Sequence, residues 1–357
     1  MTRYDVAIVG AGMAGAGLAA ALGGEAEVLL LEAEDRPGYH STGRSAAFWS
    51  ESYGGPLIQP LTSASFDALQ PYLGPRGCIH LGDAAGESAL TDLATEFDGT
   101  RVALEPLARP ELEARITGLK AGWDFGLSEP SCMDIDVAAL HAACLRAAKA
   151  ELVTNARMTR AERTDGLWRI ATSAGEFEAD VLVNAAGAWA DPVALLAGER
   201  LVGIRPYRRT IAQLRIDPPA PADLPLIVDA LGRFYFKPEA GGRLWLSPHD
   251  ETPCEPCDAA TEELDVAIAI DRLETVVGWR VLAVEHKWAG LRSFAPDRLP
   301  VYGFSASGRG FFWCAGQGGF GIQTAPAASA LAAAMLLGRP AEAVDPAPYA
   351  AIRFDPV

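Results

Sequence analysis

Gly10-Ala11-Gly12-Met13-Ala14-Gly15 stands between an apolar run, Tyr4 to Val9, and a stretch of small residues, Ala16 to Leu22, and a second apolar run ends at Glu32. Glycines at this spacing mean little alone. Placed between a strand and a helix, with an acid closing the next strand, they specify a βαβ unit that binds a dinucleotide. The first glycine permits the tight turn, the second lets backbone N–H groups approach a pyrophosphate, and the third lets helix pack on strand; the helix N-terminus adds partial positive charge. Gly10, Gly12 and Gly15 take these roles, and Glu32 is placed to accept from a ribose hydroxyl.

Such a unit accounts for only part of 357 residues that are 50% hydrophobic, so a second domain is expected. The net charge of -16, with 30 Lys and Arg against 46 Asp and Glu, argues against nucleic acid as a partner. No apolar stretch reaches transmembrane length, and the first strand begins within a few residues of Met1, leaving no room for a signal peptide; a cytoplasmic protein is expected. Six cysteines fit a reducing compartment better than a disulfide scaffold. Cys254-Glu255-Pro256-Cys257 has CxxC spacing but no second pair, so an exposed turn and no metal site are expected there, and the histidines show no ligand spacing.

Beyond Glu32 the loop Arg36 to Ala47 lacks any periodicity, and Glu87 to Phe97 and Asp136 to Ala150 read as helices. Strands are expected at Leu152 to Arg163, Leu167 to Thr172 and from Asp180, and antiparallel ones at Arg208 to Ile216, Arg233 to Lys237 and Gly242 to Ser247. A strand at Gly310 to Cys314, a glycine cluster at Gly316 to Gly321 and a helix from Pro326 to Leu337 follow. The expected fold is α/β: a Rossmann-like domain over residues 1–75, 134–204 and 286–357, and a discontinuous α+β domain with an antiparallel sheet over 76–133 and 205–285.

Four segments in order, Gly38-Tyr39-His40-Ser41-Thr42-Gly43-Arg44-Ser45-Ala46-Ala47, Leu182 to Trp189, Trp288-Ala289-Gly290-Leu291-Arg292-Ser293-Phe294 and Gln317 to Thr324, make the chain resemble the D-amino acid oxidase family of flavoproteins, and within it the D-arginine dehydrogenase branch. The resemblance implies FAD as the dinucleotide. By similarity, Ala14, Glu32 and Ala33 would hold its pyrophosphate and adenosine end, Met158 its adenine and Gly187 the nucleotide again. Ser41, Thr42, Gly43, Arg44, Ser45, Ala46, Ala47 and Phe48 would line the isoalloxazine. Gly318, Phe320, Gly321 and Ile322 would lead to the last helix, whose N-terminal dipole would face the ring. Gln317 stands where the sarcosine oxidase branch has its tethering cysteine, so FAD is expected to be non-covalent.

The same resemblance implies an amino acid substrate. Arg292 occupies the position for bidentate carboxylate recognition, which a planar guanidinium suits better than an ammonium. Tyr235 and Tyr53 match positions that hydrogen-bond the substrate, and Arg209 matches a second pocket arginine, a role that Arg208 could fill after a shift of one residue. Gly319 and Gln323 would meet the amino end. Cys78 falls where an acid would face a cationic side chain and Phe48 where a histidine would stand; with Leu226 and Val228 they point to neutral or hydrophobic D-amino acids, while His80 and Asp83 leave a polar wall open. The implied reaction is oxidation of a D-amino acid to the imino acid, then hydrolysis to the 2-oxo acid and ammonia. The alternatives are a secondary or cyclic amine substrate of the glycine, sarcosine or proline type, or an electron-relay subunit; the acceptor, a quinone, another carrier or O2, is left open.

Overall fold

The structure, a computed structural model, describes residues 2–354, so the expected outer limits, 1 and 357, lie outside the described residues. The elements that frame the site are, in chain order, β1 (Arg3–Val9), α1 (Met13–Leu22), β2 (Val28–Leu31), β3 (Cys78–Gly82), β4 (Phe125–Glu129) and β5 (Gly175–Asn184). They continue with β6 (Arg205–Asp217), β7 (Tyr235–Glu239), β8 (Arg280–Phe294) and α2 (Ala325–Leu336).

In β1 the alternation of exposed and buried residues gives way to four buried ones, Val6 to Val9, and β2 is buried throughout. That is the pattern of parallel strands covered on both faces. β5, β1, β2 and Glu151–Val153 lie side by side in parallel, and Phe311–Ala315 pairs with the far edge of β5 in the same direction. An antiparallel meander, Met158–Thr164 and Leu167–Thr172, joins the start of β5. The single strand expected from Leu152 to Arg163 is therefore two strands, separated at Asn155, whose φ of +52° turns the chain. The alanine-rich helices α1 and α2 pack together over one face of the sheet. Trp168, Phe311 and Trp313 fill the other, and removing a fully buried indole such as Trp168 would cost about 3–5 kcal/mol.

The second sheet runs β8, β6, Arg243–Ser247, β7, Leu226–Asp229, β3, β4 and Glu105–Leu107. Neighbours along it are antiparallel except for Leu226–Asp229 beside β3. Its core, with Phe234, Phe236, Leu244 and Leu246, lies under the helix Glu263–Val276. The border expected at 286 falls inside β8, which pairs with β6 over its whole length, from Arg280 to Phe294. Continuous cross-strand pairing decides the matter: the chain leaves this sheet only after Phe294, and Gln317 and Gly318 return to pair with Phe294 and Ser293. A small third sheet, Phe48–Trp49, Leu73–Pro75 and Met133–Ile135, bridges the two bodies. Among the described residues no helix is long and apolar enough to cross a membrane.

Candidate active site

A cavity of about 390 Å³ runs between the two large sheets, from the turn between β1 and α1 to the end of β8. At its first end Gly10 has φ +105°, and a Cβ at Gly15 would stand 1.9 Å from the Gly10 carbonyl oxygen, so only glycine closes this turn. Thr42 Oγ1 accepts from the Met13 N–H at 2.9 Å. Ala14 and Gly15 precede the first intrahelical bond, from Ala16 N–H to Gly12 oxygen, and Ala14, which lines the cavity, has its N–H left for an anion. Glu32 is buried at the end of β2, where its carboxylate accepts from Ala11 N–H at 3.1 Å and Glu34 N–H at 3.0 Å. These bonds fix its orientation and leave lone pairs for a ribose hydroxyl.

Most residues expected to meet the cofactor line this cavity: Gly10, Gly12, Ala14, Glu32 and Ala33 at one end, Met158 and Gly187 along its side, and Ser41, Thr42, Arg44, Ser45, Ala46, Gly318, Gly321 and Ile322 toward the other. Gly15, Gly43, Ala47, Phe48 and Phe320 do not. Gly15 and Gly43 are backbone contacts within turns, Ala47 packs in a neighbouring core, and Phe320 packs edge-on against Tyr53 with ring centroids 5.1 Å apart. Phe48 lines a second cavity, described below. Ser41 and Arg44 also fasten their loop to the second sheet: Ser41 Oγ donates to Leu291 oxygen at 2.7 Å, and Arg44 donates to Ala259 and Ala289 oxygens at 2.9 and 3.1 Å and pairs with Asp258. The last helix departs from expectation. No residue of α2 lines the cavity, and its first-turn N–H groups are engaged, Ala325 by Ile322 oxygen and Ala327 by Ser65 Oγ.

At the second end, strand alternation separates the two neighbouring arginines of β6. Arg208 points away from the cavity to Glu262 and Asp265, whereas Arg209 is buried and faces it. Arg209 Nε donates to Asp250 oxygen at 2.7 Å, and its Nη1 has no hydrogen-bond partner. Burial, reinforced by the charge of Arg292, pushes its pKa down to about 10. Among the described residues Arg292 makes no hydrogen bond or ion pair; its guanidinium lies 5.9 Å from the centre of the Tyr53 ring. A Cβ on Gly319 would stand 2.5 Å from Tyr53 Oη and 3.2 Å from the Arg292 guanidinium, so glycine keeps this space open. Arg209 is also ion-paired with Asp250 at 3.9 Å and Glu251 at 3.5 Å, so the site offers the unpaired guanidinium of Arg292, the unpartnered Nη1 of Arg209 and two phenols as donors.

Gln323 must be moved from the expected set. Its Oε1 accepts from Ser50 N–H at 3.3 Å, and its Nε2 donates to Tyr53 oxygen at 3.1 Å and Thr62 Oγ1 at 2.9 Å. It is 2% exposed and lies off the cavity wall, so it braces a turn and does not face a ligand.

The second cavity, about 30 Å³, shares Arg292 and Tyr235 with the first and is otherwise lined by Phe48, Ser50, Tyr53, Cys78, His80, Val228 and His249. Leu226 is buried behind it, and Asp83 is turned away to Arg233 at 2.9 Å. Two groups here were not expected. Burial, then the charges of Arg209 and Arg292, hold the His249 imidazole down to about 2, so it is neutral. Glu129, at the end of β4, is 0% exposed and gathers donors from Ser50, Glu51, Ser52 and His80. Burial alone would raise its pKa, but His80 and the serine hydroxyls more than offset this and hold it below the ordinary carboxylate value. Elsewhere, Cys254 and Cys257 are half-buried with sulfurs 3.5 Å apart, and among the described residues no cluster of three or more His, Cys, Asp or Glu could hold a metal.

A family model described as FAD dependent oxidoreductase, DAO, matches residues 5–335. A glycine oxidase of Pseudomonas aeruginosa is 32% identical over 184 residues, 51% of this chain and 48% of that protein, so the match spans about half the length of that relative. Among solved structures, glycine oxidase from Geobacillus kaustophilus superposes with a TM-score of 0.85 at 24% identity, covering 99% of both chains. L-proline dehydrogenase from P. horikoshii gives 0.83 at 17% identity, covering 95% of each. At these identities the superpositions establish the fold.

Proposed function

The chain belongs to the DAO family of FAD-dependent oxidoreductases, and from that premise we propose that it oxidises the Cα–N bond of a small neutral α-amino acid, glycine or one of D configuration. The residues present fit the cofactor: open N–H groups at the start of α1, a fixed acid at the end of β2, and a cavity that continues past the loop at 41–46. When bound, FAD supplies the two-electron acceptor. The chain's own residues bind and orient the substrate. The observation that carries the proposal is the pair Arg292 and Arg209, which face the cavity with hydrogen-bonding capacity unused. Arg292 takes the carboxylate, with Arg209, Tyr53 and Tyr235 around it, and so fixes which face of Cα is presented.

Oxidation needs the amine unprotonated. Arg209 is already paired with Asp250 at 3.9 Å and Glu251 at 3.5 Å, so the uncompensated cation is Arg292; by neutralising the substrate carboxylate it removes the charge that would hold the ammonium protonated. His249, being neutral, neither competes for the carboxylate nor adds repulsion. The apolar wall of Phe48, Cys78 and Val228 bounds a cavity of about 30 Å³, room for roughly two water molecules and so for a side chain of only a few heavy atoms. That favours small side chains over the broader hydrophobic range.

Anaerobic addition of glycine, of sarcosine and of both enantiomers of alanine, valine, arginine and proline, followed by the loss of flavin absorbance, tests the proposal. Fast bleaching by glycine or D-alanine is expected. Bleaching by sarcosine or proline alone would favour the secondary-amine alternative, and bleaching by none would favour electron relay. Arg292→Ala is expected to lower kcat/KM at least a hundredfold, about 3 kcal/mol of charged hydrogen bonding. Unchanged turnover would remove the carboxylate clamp.

A further inference from the structure

Tyr53 reaches the carboxylate site from a turn that begins at Ser50, and that turn belongs to the loop after β2, not to the substrate sheet. What fixes it comes from the opposite body. Glu129 Oε1 accepts from Glu51 N–H at 2.7 Å and Ser52 N–H at 3.3 Å. Its Oε2 accepts from Ser52 Oγ at 2.5 Å and Ser50 Oγ at 2.9 Å, with His80 Nε2 at 3.4 Å. On the other side of the same turn, Gln323 holds Ser50 N–H and Tyr53 oxygen. A fully buried carboxylate is costly unless its lone pairs are filled, and here donors surround both oxygens. Four of the five contacts come from the three residues just before Tyr53.

We propose that Glu129 is a positioning residue for the carboxylate site: it reaches from β4 into the Ser50–Ser52 turn and sets Tyr53 beside Arg292. It touches neither cavity itself. Its charge strengthens every one of these bonds; an amide would keep the two backbone N–H donors only by turning its NH2 onto the serine hydroxyls and His80, reversing those bonds and losing the charge assistance. This rests on the carboxylate-clamp reading above, and it adds a residue outside the clamp.

The test uses flavin-loaded protein and acetate, the smallest carboxylate that Arg292 and Arg209 would take, with binding followed by the flavin difference spectrum and by thermal shift. Wild type, Tyr53→Phe, Glu129→Gln and the double variant form a cycle. Tyr53→Phe and Glu129→Gln are each expected to weaken acetate roughly tenfold, the scale of one hydrogen bond to a charged group. The double variant is expected to be no weaker than the weaker single variant, because Glu129 acts through Tyr53. The KM for the amino acid should rise in the same pattern, with kcat changing less. Additive losses would overturn the proposal, as would unchanged acetate binding in Glu129→Gln. If Glu129→Gln fails to fold, Ser52→Ala decides in its place; it removes one donor from the same carboxylate and should show a smaller, equally non-additive loss with Tyr53→Phe. Failure of the wild type to bind acetate would instead remove the clamp, which is a different result.

Discussion

The arrangement of Arg209 and Arg292 turns on single-residue differences. One step along β6, Arg208 is spent on Glu262 and Asp265, and the side-chain alternation of a strand is all that separates a surface ion pair from a pocket cation. Phe48 and His249 carry two predictions at this scale. Phe48→Ala would enlarge the 30 Å³ cavity, and substrate screening should show D-valine or D-leucine gaining on D-alanine; an unchanged preference would mean that another wall sets the limit. His249 has a native pKa near 2, well below its ordinary value of about 6.5. The unfolded chain therefore binds a proton that the native protein refuses, so this residue's effect is a loss of stability as pH falls from about 6.5 toward 2. Denaturant midpoints at pH 7 and pH 5 should differ less in His249→Gln than in wild type. Arg292 is placed by a segment shared with relatives, and Tyr53, Tyr235 and Arg209 by resemblance outside such segments. Glu129 and His249 could not be placed so: both lie in stretches with no motif, and only the assembled second sheet brings His249 to the cavity and Glu129 to the turn beside it. Gln323 shows the converse, a residue inside a motif whose polar groups are all used internally.

At the scale of elements, the turn from β1 into α1 was legible because its geometry admits so few residues. Gly15→Ala should abolish flavin binding, since the added carbon would stand 1.9 Å from the Gly10 carbonyl oxygen; a variant that purifies yellow with full flavin would contradict this. Periodicity also located most strands and the helix of residues 137–147, whose start is capped by Asp136 through Ala139 N–H at 2.9 Å. It misjudged β8. Exposed and half-buried residues alternate along its first half, the pattern of an outer strand of the sheet bonded to β6 on one side, and the pairing carries it across the border expected at 286. The resemblance, in turn, brought α2 to the ring, where Ile322 and the preceding glycines line the cavity. Local sequence reports an element's type well and its neighbours poorly, because pairing depends on partners far along the chain, as Arg3 with Glu178.

For the molecule as a whole, the long cavity is a seam: one wall comes from the parallel sheet and its loops, the other from β6, β7 and β8. A ligand that fills it binds the native state and both bodies at once. Stripping the flavin should lower Tm, and adding FAD back at a hundredfold excess over Kd should restore about 2.7 kcal/mol. A flavin-free protein with unchanged Tm would show that the two bodies hold each other without it. The loop fastened by Ser41 and Arg44 to the strand that carries Arg292 makes the same coupling mechanical, so cofactor loss should also blunt acetate binding.

The chain crosses this seam late. Phe311–Ala315 completes the parallel sheet beside β5, and only then do Gln317 and Gly318 close onto the end of β8 and Gly319 come to rest between Tyr53 and Arg292. On the ribosome, the glycine turn near residue 10 is therefore made hundreds of residues before the wall it faces, and the nascent chain must keep an apolar trough from aggregating until residues 311–322 emerge. A chain cut short of residues 311–322 would keep the glycine turn between β1 and α1 and lack the strand and glycines that complete the far wall of the seam.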